Sequence, residues 1–177
     1  MDFRLTDEQR ALRDMARDFA AKEIAPHAQA FDEQGAIPKA LLDKMAGLGL
    51  MGICVPSEYG GAGMDYFAYI IALEEVCKAS ASVGLAMTVN NTLYGEPLMR
   101  FGTHEQKLRW LAPAAKGARL GCYALTEPGS GSDAMALAAT ATPQGDGFML
   151  NGTKLFVTNG EIAAHAVIFA TVDRARK

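Results

Sequence analysis

At Gly121-Cys122-Tyr123-Ala124-Leu125-Thr126-Glu127-Pro128-Gly129-Ser130-Gly131-Ser132-Asp133 the chain changes character. Before this stretch apolar residues recur at helical intervals, and after it apolar and small polar residues alternate in short runs. The turn signals Gly145-Asp146-Gly147 and Asn151-Gly152 separate those runs. They predict strands at Cys122–Thr126, Leu137–Thr142, Phe148–Leu150, Lys154–Thr158 and Ala166–Val172. Helices followed by consecutive strands argue for an α+β fold, because a parallel α/β sheet needs helices between its strands. The expected organisation is an all-helical N-terminal domain over residues 1–120 and the first part of an antiparallel β-domain over 121–177. Five short strands without cover make an incomplete sheet whose edges call for a partner or more chain.

Upstream, Thr6 and Gln9 have the spacing of a capping box. Leu12, Met15, Ala16, Phe19, Ala20 and Ile24 then predict an amphipathic helix from Asp7 to Ala25, interrupted or bent at Pro26. A second helix begins with Pro38 in its first turn and is expected to bury Leu41, Leu42, Met45 and Leu48. Val55 to Gly63 reads as a loop. Further helices are expected from Asp65, over Ser82–Asn91, around Leu93–Phe101 and after Thr103, where the capping-box spacing recurs with Gln106.

The 177 residues carry a net charge of −3, 50% hydrophobic residues, 21% charged residues and a mean hydropathy of +0.05. That composition excludes intrinsic disorder, and the even spread of charge gives no basic face for nucleic acid. No uncharged stretch is apolar enough to span a bilayer. The acidic start, Met1 to Glu8, lacks the apolar core of a signal peptide and the arginines of a transit peptide. A cytoplasmic protein, or one already processed for the mitochondrial matrix, is the expectation. Cys54, Cys77 and Cys122 form no CxxC pair and suit a reducing compartment as core thiols.

His27, His104 and His165 are far apart in sequence and point to no metal site. No Gly-x-Ser-x-Gly elbow marks an acyl-transfer nucleophile. Gly129 to Ala134 fits the loose G-x-G-x-x-[GA] dinucleotide pattern but fails on context. The residues that follow alternate like a strand, and no acidic residue stands about 20 positions on to hold a ribose. The glycines still let the backbone approach a ligand, and the amides and hydroxyls around Ser130, Ser132 and Asp133 offer donors to a diphosphate. Spacing alone leaves a surface loop and an anion site both open. Tyr123, Leu125 and Phe156 likewise suit either the buried face of a sheet or a ligand contact.

Cys122 to Asp133 as a whole resembles the flavin-binding signature of the acyl-CoA dehydrogenases. Val55–Gly63, Val89-Asn90-Asn91-Thr92-Leu93-Tyr94 through Phe101-Gly102-Thr103, and Leu150-Asn151-Gly152-Thr153-Lys154-Leu155-Phe156-Val157-Thr158-Asn159-Gly160 resemble further segments of that family in the same order. The resemblance covers essentially the whole chain and its Val89–Tyr94 segment is similar to the short-chain, butyryl-CoA branch. It implies FAD as cofactor, contacted through Tyr123, Leu125, Thr126, Gly131, Ser132, Phe156, Val157 and Thr158, with Ser132 also near the CoA substrate. Phe156 stands where many members have Trp, which keeps an aromatic face and loses an indole N–H. Met87, Val89 and Leu93 are implied as lining for an acyl pocket.

The implied activity is dehydrogenation of an acyl-CoA thioester to its trans-2-enoyl-CoA, with electrons passing to an electron-transfer flavoprotein and the protein forming an oligomer, tetrameric in the family. Donors such as Thr126 and Thr158 favour hydride acceptance by a flavin. The family's base is a Glu of a C-terminal helical domain, at a position that would fall beyond residue 177. Glu74 and Glu75 read as ordinary helix residues, Glu96 precedes Pro97, and Glu127 reads as a structural carboxylate, so none takes that role. A chain lacking the base is expected to be incompetent alone and to need its missing half or a partner chain. The rival readings are a non-catalytic flavin- or CoA-binding subunit that completes its fold with a partner, and a bare interaction module.

Overall fold

The computed structural model describes residues 4–173. Residues 1–3 of the acidic start and Arg174 to Lys177 of the terminal basic run lie outside the described residues. Thr6 caps the first helix through the reciprocal bonds of a capping box: its hydroxyl accepts the Gln9 N–H, and the Gln9 side chain accepts the Thr6 N–H. Helix α1 (Asp7–Phe19) runs through a π-helical turn at Ala20–Ile24 and a 3-10 turn at Ala25–His27 into α2 (Ala28–Gln34). The expected break at Pro26 is thus a change of helix type, because proline has no N–H to continue the α-helical bonding. Gly35, at φ +62°, closes α2 in the left-handed conformation that suits glycine.

Helices α3 (Lys39–Gly47), α4 (Tyr66–Ala79) and α5 (Ala81–Thr88) complete the main packing. Asp65 and Ser80 cap α4 and α5 by accepting the N–H groups of Ala68 and Val83. Ala16, Phe19 and Ile24 meet Leu41, Leu42 and Met45 of α3, Tyr69, Ala72 and Val76 of α4, and Val83 and Met87 of α5 in one core. A π-helical turn at Val89–Tyr94 leads to α6 (Gly95–Phe101). A second capping box, Thr103 with Gln106, starts α7 (His104–Gln106), which passes through a π-helical turn at Lys107–Leu111 into α8 (Ala112–Ala115). Among the described residues no helix is long and apolar enough to cross a membrane.

Two polar features run through this core. Asn90 donates to the carbonyls of Met51 (2.8 Å) and Ala114 (2.9 Å) while its Oδ1 accepts the Gly121 N–H (3.0 Å). Asn91 donates to Leu50 and Met87 and accepts from Ile53. Both are 2% exposed and fully bonded, so they tie three irregular segments to one helical turn without an unsatisfied group. Glu75 departs from its reading as an ordinary helix residue. It is 5% exposed and accepts from Arg17 Nε (3.0 Å), from the Arg17 fork (3.1 Å) and from Lys78 (3.0 Å), because it lies on the face where α4 packs against α1. The Arg17 bonds hold its carboxyl below the usual carboxylate range.

The β-region contains β1 (Gly121–Ala124), β2 (Thr140–Gln144), β3 (Gly147–Asn151) and β4 (His165–Ile168). The chain is α+β, with a helical block followed by the start of a β-domain. The expectation of an antiparallel arrangement holds for the β2–β3 hairpin, while β1 and β4 pair in parallel, Gly121 opposite His165 through Ala124 opposite Ile168. The two pairs meet at Thr171, whose N–H donates to the Ala139 carbonyl and whose carbonyl accepts the Ala141 N–H.

Four expected strands differ, the first in ending at Ala124 and not at Thr126. The run from Leu137 becomes strand only at Thr140, because the N–H groups of Ala138 and Ala139 are taken by the Glu127 carboxylate. Lys154–Thr158 is not a strand: Phe156 sits at φ +55°, which breaks the β conformation, and a turn follows from Thr158. The last strand also ends early, at Ile168, with Thr171 making a bridge of its own. The cysteines divide as well. Cys122 is buried in β1, Cys54 is half-buried and Cys77 is exposed on α4, so only one is a core thiol. Burial, with Glu96 and Asp65 nearby, pushes the Cys54 thiol up to about 11.

Candidate functional site

Strand β1 is seated against the helical block by a close approach that only glycine permits. A Cβ on Gly121 would lie 2.0 Å from Cγ of the buried Tyr94 ring, and the Gly121 N–H is the one held by Asn90. Tyr123 follows in the strand, half-buried, with its ring 5.0 Å from that of Phe169 beyond β4. Leu125 and Thr126 continue from the strand end and are partly exposed.

The loop after Thr126 is closed by its own bonds. Glu127 and Ser130 exchange backbone hydrogen bonds (2.8 and 3.1 Å), and the Ser130 hydroxyl donates to the Asp133 carbonyl (2.8 Å). Gly129, Gly131 and Ser132 are exposed at its outer edge, and an added Cβ at either glycine would meet nothing within 4 Å. Open space of this kind next to backbone amides is what a close-fitting phosphate group needs.

The two segments singled out in the sequence are brought together. The Leu155 N–H donates to the Thr126 carbonyl (2.8 Å). Lys154 Nζ donates to the Leu125 carbonyl (2.9 Å) and to Glu127 Oε1 (2.7 Å). Glu127 therefore is the structural carboxylate its sequence context suggests: Oε1 also accepts the Ala139 N–H (3.0 Å) and Oε2 the Ala138 N–H (2.6 Å). The Lys154 bond first, then the Ala138 bond, pulls its carboxyl down to about 2.

The hydroxyls of Thr126, Ser132 and Thr158 make no hydrogen bond within the described residues. Phe156 projects into solvent with 89% of its surface exposed, an arrangement with no packing role in the folded chain. Its positive φ is costly for a bulky residue. This outlier directly follows Leu155, whose N–H is held by Thr126 at the start of the open glycine loop.

Val157 and Thr158 face a different space. With Phe31, Asp32, Ser82 and Ala86 they line a cleft of about 540 Å³ between the end of α2, α5 and the 157–162 turn. Asn159, at φ +65°, pins that turn by donating to the Ala86 carbonyl (3.2 Å). Tyr123, Leu125, Thr126, Gly131, Ser132 and Phe156 are not part of this cleft's lining. Met87 and Val89, named for an acyl pocket, are sealed in the helical block at 0% and 2% exposure, and Leu93 alone of the three is open to solvent.

Sequence reasoning missed Lys154, Asn90 and Asn159 as organisers of this region. A lysine in an otherwise apolar run, Lys154-Leu155-Phe156-Val157, was the available signal for the first. The asparagines gave none, because their partners are backbone groups of segments distant in sequence.

Comparison with known proteins agrees with this layout. Residues 6–118 match the acyl-CoA dehydrogenase N-terminal domain, and residues 122–177 match the acyl-CoA dehydrogenase middle domain. The chain belongs to the acyl-CoA dehydrogenase family. It is 48% identical to the mitochondrial short-chain specific acyl-CoA dehydrogenase of Homo sapiens, over 97% of this chain and 42% of that one. Among solved structures, a chain from work on the electron transferring flavoprotein of Acidaminococcus fermentans superposes with a TM-score of 0.94 at 44% identity, covering 99% of this chain and 46% of that one. Butyryl-CoA dehydrogenase from Megasphaera elsdenii gives a TM-score of 0.93 at 38% identity, with coverage of 99% and 47%. The acyl-CoA dehydrogenase family member described here thus spans less than half the length of these relatives.

Proposed function

We propose that these residues form the scaffold and one wall of an FAD site serving α,β-dehydrogenation of a short acyl-CoA thioester to the trans-2-enoyl-CoA. The observation that carries the reading is the bonding of Leu125, Thr126 and Glu127 to Lys154 and Leu155, which sets the root of the open glycine loop beside the segment that carries the exposed Phe156 ring. The 48% identity to a short-chain specific acyl-CoA dehydrogenase supports the reaction class and the short-chain preference.

FAD bound here supplies the two-electron acceptor for the hydride that leaves Cβ. The chain's own residues bind and orient it. Tyr123, Leu125 and Phe156 offer apolar and aromatic surface to a planar ring system, while Thr126 and Thr158 offer hydroxyl donors to the atoms that gain electron density on reduction. Val157 and Thr158, which line the cleft beside α5, meet the ring system from that side on this reading. The backbone at Gly131 and the hydroxyl of Ser132 hold the diphosphate, with Ser132 also close to the CoA. The α-proton of a thioester is a weak acid, so a carboxylate base must be positioned against it. By the family resemblance that base is a Glu of a C-terminal helical domain, outside residues 1–177, while Glu75 and Glu127 are engaged in ion pairs within them. Residues 1–177 alone are inactive on this account. An electron-transfer flavoprotein is the proposed acceptor, consistent with the flavoprotein context of one structural neighbour. The proposed working form is an oligomer, in the cytoplasm or, after processing, the mitochondrial matrix.

The test is anaerobic addition of butyryl-CoA to the protein in its full natural length, reconstituted with FAD. Bleaching of the visible flavin absorption is expected, and its absence from residues 1–177 alone. A full-length protein that retains no FAD would contradict the reading. One that holds FAD, responds spectrally to acyl-CoA and never reduces would favour the non-catalytic subunit.

A further inference from the structure

The buried ion pair of Glu127 and Lys154 calls for an explanation. The two side chains are 5% and 11% exposed. Taking two charges out of water costs more than their attraction returns unless geometry and hydrogen bonding are both complete, and apolar residues of similar volume often serve stability as well. The pair holds together three pieces of chain. Glu127 takes the N–H groups of Ala138 and Ala139, which fixes the neck of the 128–137 loop that carries Gly131 and Ser132. Lys154 takes the Leu125 carbonyl, and the next residue, Leu155, donates to Thr126. The residue after that is Phe156, in its strained conformation.

We infer that Glu127 and Lys154 are positioning residues for the cofactor, a charged clamp that sets the separation between the diphosphate loop and the ring-contact segment. This rests on the FAD reading above and deepens it. Neither side chain needs to touch the cofactor. Each acts through backbone groups at Leu125, Thr126, Ala138 and Leu155. A second ion pair with a buried carboxylate, Glu75 with the half-exposed Arg17, lies between α1 and α4 in the helical block and serves as the internal control.

The experiment uses the full natural chain and compares Glu127→Gln, Lys154→Met, the double variant and Glu75→Gln. FAD dissociation constants are measured by titration, circular dichroism of the bound flavin is recorded, and melting of the apoprotein is followed in parallel. Each single clamp variant is expected to weaken FAD binding roughly ten- to a hundredfold, the scale on which misplaced supporting groups act. The flavin circular dichroism changes with it. The double variant is no worse than the weaker single one, because the pair acts as a unit. Glu75→Gln lowers the melting temperature and leaves FAD affinity within about twofold. Unchanged FAD affinity and flavin dichroism in the clamp variants, whatever their melting temperatures, would overturn the inference. So would an equal loss of affinity in Glu75→Gln, which would make it a general stability effect. If a clamp single variant does not fold, the double variant, which leaves no lone buried charge, carries the same comparison. Parent protein that binds no FAD removes the FAD reading itself, and the clamp with it.

Discussion

The helical block and the β-region of this chain obey different rules. In the first, most residues predicted to be apolar faces are closed over one another, Leu48 at 41% exposure being an exception at the end of α3, and the polar groups that enter the core, Asn90, Asn91 and Glu75, are fully bonded. In the second, Phe148, Met149 and Leu150 on β3, and Phe156 beyond it, stand in water. Both regions have similarly apolar sequences, so the difference is one of degree: the helices close a continuous core while leaving side chains such as Phe67, Ile70 and Phe101 exposed, and the hairpin buries no residue at all. A region that is closed explains itself by packing. A region whose aromatic ring is exposed, whose backbone is strained and whose hydroxyls are idle is explained by what it binds or what covers it.

The largest expected effect is at the joint between the two. Asn90→Ala strands the Gly121 N–H and the carbonyls of Met51 and Ala114, at about 1–3 kcal/mol for each buried group left without a partner. Denaturant melts should show a loss of about 3 kcal/mol or more, with loss of order in β1 preceding loss of helix. Equal stability of the variant would break the claim that Asn90 joins the regions.

Acid sharpens the comparison next. The Glu127 carboxyl lies at about 2 in the folded chain, lowered from 4.5. Its contribution is therefore fully present above pH 4.5 and is lost as pH falls from there toward 2. Tyrosine and tryptophan signals from the two regions, compared with Glu127→Gln, should differ in that window and converge below it.

Phe156→Gly comes third. Removing a bulky side chain from φ +55° while losing no packing should stabilise the apoprotein by about 1 kcal/mol and weaken FAD binding. Thermal melting and titration read the two opposite effects, and a destabilised apoprotein would show that the ring packs after all. The smallest effect is expected for Phe148→Ser on β3, which should change stability of residues 1–177 by less than about 0.5 kcal/mol because the ring is already exposed.

Sequence alone carried the order of the elements, both capping boxes, the switch at Gly121 and the structural role of Glu127, since each rests on local spacing. It misplaced the strands at Leu137 and Lys154 because the first loses the Ala138 and Ala139 N–H groups to the Glu127 carboxylate and the second is broken by the left-handed backbone at Phe156, neither of which alternation of residue types reveals. Glu75 and the Asn90–Asn91 pair were illegible for the same reason: burial of a polar residue is decided by partners that periodicity does not name. The candidate contacts, Tyr123 to Ser132 and Phe156 to Thr158, stood out through resemblance, and their idle donors and exposed ring became visible only in the fold.

Amide hydrogen exchange on the full natural chain, with and without FAD, tests the central claim most directly. Adding FAD is expected to slow exchange at 123–133 and 154–160 and to leave α4 and α5 unchanged. Uniform protection across both regions, or none at those two segments, would contradict it.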